Sequence, residues 1–156
     1  MTSKMKILAA VDLSEYSPAI VRYGGWLAKQ LNAELLLVSV INQRDLDMVN
    51  RTMIGYETFS YPEYVAEIEQ NREVHLDDLM ENSCPDGIRC SKIILSGIPY
   101  RELLQAIEDQ NPQLMIVGTK GRSNLADALV GSTARKLYRR SSVPLLTIPA
   151  GFDELP

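Results

Sequence analysis

Short apolar runs recur along this chain, and most are too uniformly hydrophobic to leave one face in water. They are Lys6-Ile7-Leu8-Ala9-Ala10-Val11, Glu34-Leu35-Leu36-Leu37-Val38-Ser39-Val40-Ile41, Ser91-Lys92-Ile93-Ile94-Leu95-Ser96, Leu114-Met115-Ile116-Val117 and Val143-Pro144-Leu145-Leu146-Thr147-Ile148-Pro149. A strand with one solvated face alternates apolar with polar residues, whereas one covered on both faces does not. Between the runs the period changes to that of a helix. Ser17 reads as an N-cap and Pro18 as the first helical position. Ala19, Ile20, Tyr23, Leu27 and Leu31 then follow at helical spacing, and Asn32 closes the segment. Gly24 and Gly25 inside it would each cost roughly 0.5–1 kcal/mol relative to Ala, so close helix–sheet packing is expected there.

Further helices are expected over residues 62–81, 100–110 and 132–140, the second closed by Asn111-Pro112. The last exposes Arg135, Lys136, Arg139 and Arg140. Residues 42–61 fit neither period and read as a long connection, and residues 150–156 as a frayed tail. The final strand carries Pro144 and Pro149 and is expected at a sheet edge, because proline cannot donate to a ladder. Strands alternating with helices imply a five-stranded parallel sheet covered on both faces, a three-layer α/β sandwich. In such sheets ligands bind beyond the carboxyl ends of the strands where the strand order reverses. With the order 3-2-1-4-5 that crevice lies between strands 1 and 4, although periodicity alone does not set the order.

Two polar stretches would meet at that crevice. Asp12 ends the first run. The fourth runs into Gly118-Thr119-Lys120-Gly121-Arg122-Ser123-Asn124 and on to Gly131-Ser132-Thr133, where a helix is expected to start. Glycines let a ligand approach main-chain N–H groups without a Cβ in the way. Successive free N–H groups and a helix N-terminus both favour anions. The same glycines also serve a chain that only has to turn sharply after a strand. Neither G-x4-G-K-[ST] nor G-x-G-x-x-G occurs.

Composition narrows the function classes. The 156 residues are 46% hydrophobic and 23% charged, the balance of an ordinary globular protein, and are read as one domain over residues 1–156. A net charge of −4 offers no overall field for nucleic acid. No apolar run approaches the ~18 residues of a membrane span, and residues 1–6 lack the apolar core of a signal peptide. No nucleic-acid or membrane partner is expected, and the expected location is cytoplasmic. Cys84 and Cys90 fit neither a C-x-x-C redox pair nor a zinc site and are read as thiols without a role. His75, the single histidine, has no companion ligand nearby.

Taken together these residues resemble the universal stress protein family, in particular its ATP-binding branch, over about residues 6–148. The first-strand signature is similar from Ile7 through Asp12 to Ser17, and the exit of the third strand is similar at Gly97-Ile98-Pro99. The branch's motif G-2x-G-9x-G-[ST] is matched by Gly118, Gly121, Gly131 and Ser132, and Ser142-Val143-Pro144-Leu145-Leu146 fits the family's ending. The resemblance implies the strand order 3-2-1-4-5. It assigns Asp12 to the ribose, with main-chain groups around Ala10, Val11 and Val40 at the adenine. Gly118, Gly121 and Asn124 would follow the ribose–phosphate path. Gly131, Ser132 and Thr133 would meet phosphates through N–H and hydroxyl groups. From charge alone, Lys120 and Arg122 are added as phosphate partners or, equally, as solvated loop cations, and Asp127 would oppose a triphosphate. No residue is assigned a catalytic or metal-binding role.

The resemblance further implies a stress-response sensor or switch that binds ATP, or else AMP or ADP, with any Mg²⁺ held mainly by the phosphates. It implies a homodimer through the last strand, residues 143–148, where the flanking prolines would otherwise protect a monomer's edge. A slow ATP hydrolase and a nucleotide-independent scaffold are the alternatives.

Overall fold

The computed structural model describes residues 3–120 and 130–156. Its elements run β1 (Lys6–Ala10), α1 (Ser17–Gln30), β2 (Glu34–Asn42), α2 (Gln43–Met53), α3 (Tyr61–Ser83), β3 (Cys90–Gly97), α4 (Pro99–Gln110), β4 (Leu114–Gly118), α5 (Ser132–Arg140) and β5 (Leu145–Ile148). The strands form one five-stranded sheet of order β3-β2-β1-β4-β5, and every pairing is parallel. β5 lies at an edge, as its prolines require.

Both faces of the sheet are covered, which explains the unbroken apolar runs. Ile7, Ala9, Leu35, Leu37 and Ile116 pack on one side against Ile20, Val21 and Ala28 of α1 and Leu76 and Leu79 of α3. Leu8, Leu36, Val38, Met115 and Val117 pack on the other against Leu103, Ala106 and Ile107 of α4 and Ala134 and Leu137 of α5. Alternate side chains of a strand point to opposite faces, so one strand feeds both cores.

Gly24 and Gly25 serve different neighbours. A Cβ on Gly24 would lie 3.2 Å from Leu35 Cδ1 and 3.3 Å from Ile116 Cδ1, which is the expected close approach of α1 to the sheet. A Cβ on Gly25 would lie 2.2 Å from Pro85 Cδ, in the connection between α3 and β3.

Three local expectations are corrected. The N-cap of α1 is Tyr16, and the Ser17 hydroxyl is buried and turned toward Asp12 instead of capping the helix. Residues 42–61 are not an extended connection, because Gln43–Met53 forms α2. Asn42 caps it by accepting the Arg44 N–H at 3.1 Å, and Gln43 bridges to Asp47 one turn on. Only Leu46 of this helix is buried, so its apolar period is too faint to read. The tail is tied down at its start: Phe152 stacks edge-on against Tyr23 with centroids 6.1 Å apart, and Asp153 pairs with Arg22.

Candidate functional site

A cleft of about 480 Å³ opens beyond the carboxyl ends of β1, β2 and β4. It sits where the order reverses, since β1 pairs with β2 on one side and with β4 on the other. Ala10, Val11, Asp12, Val40, Gly118, Lys120, Gly131, Ser132 and Thr133 all line it, so residues far apart in sequence share one wall. Gly121, Arg122 and Asn124, together with Asp127, lie outside the described residues.

Asp12 is held by its own loop. Its Oδ1 accepts the Ser14 N–H at 3.0 Å and the Ser17 hydroxyl at 3.3 Å, at the start of α1 where the helix dipole favours a negative charge. Leu13 takes φ +61°, which turns the chain sharply after Asp12. The carboxylate is thus oriented before any ligand arrives.

The β4 side is built from main chain. A Cβ on Gly118 would lie 3.1 Å from both Ile20 Cδ1 and the Lys120 carbonyl oxygen, so a larger residue would press on both. The Gly131 N–H donates to the Thr119 carbonyl at 2.6 Å, which ties the start of α5 to the exit of β4. The Gly131 N–H is thus engaged within the protein, while the residue itself lines the cleft. The amides of Ser132, Thr133 and Ala134 precede the first intrahelical bond of α5, from the Arg135 N–H to the Gly131 carbonyl. Among the described residues no side chain caps this helix. Its first turn therefore presents main-chain donors and the positive end of a dipole toward the cleft, with Lys120 beside them.

The β2 side holds residues that sequence reasoning passed over: Asn42, Asp45 and Arg72. Arg72 is only 8% exposed. It donates from Nη1 to the Ser39 hydroxyl at 2.8 Å and to the Val40 carbonyl at 3.3 Å. A buried guanidinium has to be hydrogen-bonded, and the serine inside an otherwise apolar strand is its partner. A signal existed, because Arg72 shares the buried stripe of α3 with Leu76 and Leu79. Val40 meets the cleft with its carbonyl already accepting from Arg72, which shapes the wall expected to face a base.

Next in the chain to Pro99 of the cleft lining, the Tyr100 ring collects cations: Lys136 Nζ lies 4.4 Å, Arg140 Cζ 5.4 Å and Arg101 Cζ 5.7 Å from its centroid. The hydrogen bond from Arg101 to the phenol oxygen, helped by the charges of Arg101, Arg140 and Lys136, holds the Tyr100 hydroxyl below the ordinary tyrosine range.

The family model of the universal stress proteins matches residues 4–149. This chain belongs to the universal stress protein family. Among curated members it is 25% identical over 151 residues to universal stress protein MJ0577 of Methanocaldococcus jannaschii, covering 92% of this chain and 93% of that one. It is 26% identical over 144 residues to universal stress protein YxiE of Bacillus subtilis, covering 92% and 97%. Solved structures share the fold. MJ0577 superposes with a TM-score of 0.73 at 21% identity, over 97% of this chain and 99% of that chain. A universal stress protein in complex with cAMP gives 0.62 at 20% identity, over 95% and 98%. The universal stress protein from Archaeoglobus fulgidus in complex with dAMP gives 0.60 at 12% identity, over 95% and 99%.

Within the family fold the cleft of this chain has a chemical polarity. The carboxylates of Asp12 and Asp45 come from the β1 and β2 side, where Arg72 also lines the wall and donates to Ser39 and Val40, while Lys120 and the amides of α5 come from the β4 side. One end accepts hydrogen bonds and the other attracts anions. β2 and β4 flank β1, so roughly 10 Å of sheet separates the Asp45 side from the β4 side, and about half that separates Asp12 from it.

Proposed function

We propose that this protein binds an adenine nucleotide, ATP or AMP, across the cleft between β1 and β4 and acts as a nucleotide-responsive stress protein. The observation that carries the reading is the opposed pair of walls: an oriented carboxylate at Asp12 and main-chain donors at Ser132 and Thr133. A nucleotide is hydroxyl-rich at the sugar and anionic at the phosphates, and it would match both walls in one orientation only. Asp12 would then accept from the ribose, the base would lie against Ala10, Val11 and Val40, and the phosphates would meet α5 and Lys120. Gly118 keeps the floor low enough for that path, and Gly121, Arg122 and Asn124 are assigned to it by the family motif. Relatives of the same fold solved with cAMP and with dAMP support adenine as the base.

Any Mg²⁺ belongs to the phosphates in this reading. Among the described residues no group of three or more acidic, His or Cys side chains gathers to hold a metal on its own. The protein is assigned to the cytoplasm. It is assigned to a homodimer through β5, whose outer edge offers ladder groups to a two-fold mate.

Thermal denaturation of nucleotide-stripped protein with Mg-ATP, AMP, cAMP and GTP tests the proposal. A ligand at 100 times its dissociation constant stabilises by ~2.7 kcal/mol, a rise of roughly 5–10 °C for a chain of this size. A rise with adenine nucleotides that GTP fails to match is expected. No rise with any adenine nucleotide at millimolar concentration would overturn the binding reading. Sustained turnover well above ~1 s⁻¹ would replace it with an enzyme.

A further inference from the structure

The chain carries a net charge of −4, yet cations crowd the place where α4 packs beside α5. Arg101 of α4 and Lys136 and Arg140 of α5 converge on the Tyr100 ring, 5.7, 4.4 and 5.4 Å from its centroid. Arg101 Nε also donates to the Tyr100 hydroxyl at 3.0 Å. Arg135 and Arg139 are exposed next to them on α5. Among the described residues none of these five cations enters an ion pair. The acids of α4 are turned elsewhere: Glu102 lies against Gly97, Glu108 accepts the Ser142 hydroxyl at 3.4 Å, and Asp109 accepts the Gln105 amide at 2.9 Å. Like charges one helical turn apart repel and weaken a helix, so Lys136 with Arg140 and Arg135 with Arg139 strain α5 on its own. An anion seated among them would relieve that repulsion.

The position of the cluster selects the anion. α4 and α5 both start at the cleft, the first through Pro99 and the second through Ser132, Thr133 and Ala134. Lys136 stands about 5 Å along the helix from Thr133, and helical side chains lean back toward the N-terminus. Its Nζ lies over the ring of Tyr100, the residue after Pro99. The cations thus continue the path that begins at the amides of Ser132 and Thr133, with Arg140 one turn farther on.

We propose that Arg101, Lys136 and Arg140 form, around Tyr100, a subsite for phosphates beyond the third, so that the cleft prefers adenine nucleotides with four or more phosphates over ATP. This rests on the nucleotide reading of the cleft, with the phosphates at α5. The first three phosphates run past Lys120, Ser132 and Thr133, and the next enters the cation cluster. Each guanidinium can offer two parallel N–H donors to one phosphate, and Lys136 adds a point charge. The face of the Tyr100 ring holds the cations together while the subsite is empty.

Isothermal titration calorimetry of the nucleotide-stripped full chain tests this with Mg-ATP, Mg-adenosine 5′-tetraphosphate and inorganic tripolyphosphate at about 0.15 M salt. The tetraphosphate is expected to bind at least about tenfold tighter than ATP, and tripolyphosphate more weakly than both. In the triple variant Arg101→Gln, Lys136→Gln, Arg140→Gln the tetraphosphate should fall to the affinity of ATP. ATP itself should lose less than about threefold, because solvent and salt screen exposed charges. Equal binding of the two nucleotides by the unsubstituted protein, or an advantage that survives in the triple variant, would overturn the proposal and leave the nucleotide reading intact. Tripolyphosphate that binds as tightly as the tetraphosphate would overturn it too. So would a short single-stranded RNA that binds through the same three residues while the tetraphosphate shows no advantage. If neither nucleotide binds, the reading of the cleft fails and the subsite with it. The affinity ratio of the unsubstituted protein stands as the test even if the triple variant fails to fold.

Discussion

Gly118→Ala places a single methyl where the fold and the cleft share atoms, so its consequences can be worked out in advance. The new Cβ would lie 3.1 Å from Ile20 Cδ1 and 3.1 Å from the Lys120 carbonyl oxygen. The isoleucine tip can rotate away. The carbonyl cannot, since Thr119 before it is fixed by its N–H to the Ile148 carbonyl at 3.0 Å and by its own carbonyl to Gly131. Overpacking of this kind costs about 1–3 kcal/mol. Replacing glycine inside a strand returns roughly 0.5–1 kcal/mol of chain entropy. The net loss is about 1–2 kcal/mol, which for a domain of this size lowers Tm by roughly 3–6 °C. The strain falls on the rim formed by Thr119 and Lys120, so ATP affinity should fall at least about tenfold, equivalent to ~1.4 kcal/mol. Differential scanning fluorimetry with and without Mg-ATP reads both effects. A variant with unchanged Tm would refute the steric reasoning. A destabilised variant with an undiminished ATP response would refute the place given to this rim in the site.

Two further perturbations test the fold around the cleft. Gly25→Ala sets its Cβ 2.2 Å from Pro85 Cδ and should lose about 1–2 kcal/mol, after the ~1 kcal/mol that alanine returns to a helix; adding Pro85→Ala should recover most of that loss, and strictly additive unfolding energies would show that the two residues do not meet. Asn42→Ala removes the cap of α2 at a cost of about 1 kcal/mol. Because Leu46 is that helix's only buried residue, hydrogen exchange in α2 should quicken about fivefold with little change in global Tm, and unchanged exchange would remove Asn42 from the role of cap.

Much of the architecture was legible because burial on both faces leaves an unmistakable mark on composition. Runs such as the one ending at Val11 have no polar alternation, and they became the inner strands of a sheet covered by helices. The strand order was supplied by resemblance, since hydrophobic period says where a strand is and not which strand lies beside it. Gly118 and Asp12 could be placed on the cleft because each stands at or just beyond a strand end. What could not be read was whatever depends on a contact between distant residues. Arg72 looked like one more charge on a helix; its burial follows from Ser39, 33 positions away in another element. α2 was illegible because it is held by a cap and a single leucine in place of an apolar stripe. The bond from the Gly131 N–H to Thr119 depends on how the chain returns to β4, which no spacing rule states.

The central claim, that one cleft takes the whole nucleotide in one orientation, is tested most directly by a crystal structure of the full chain grown with Mg-ATP. The account predicts the adenine against Ala10, Val11 and Val40, the ribose hydroxyls on Asp12, and the phosphates at the amides of Ser132 and Thr133 beside Lys120. Nucleotide bound elsewhere on the surface, or lying in the cleft with its phosphates toward Asp45, would contradict it.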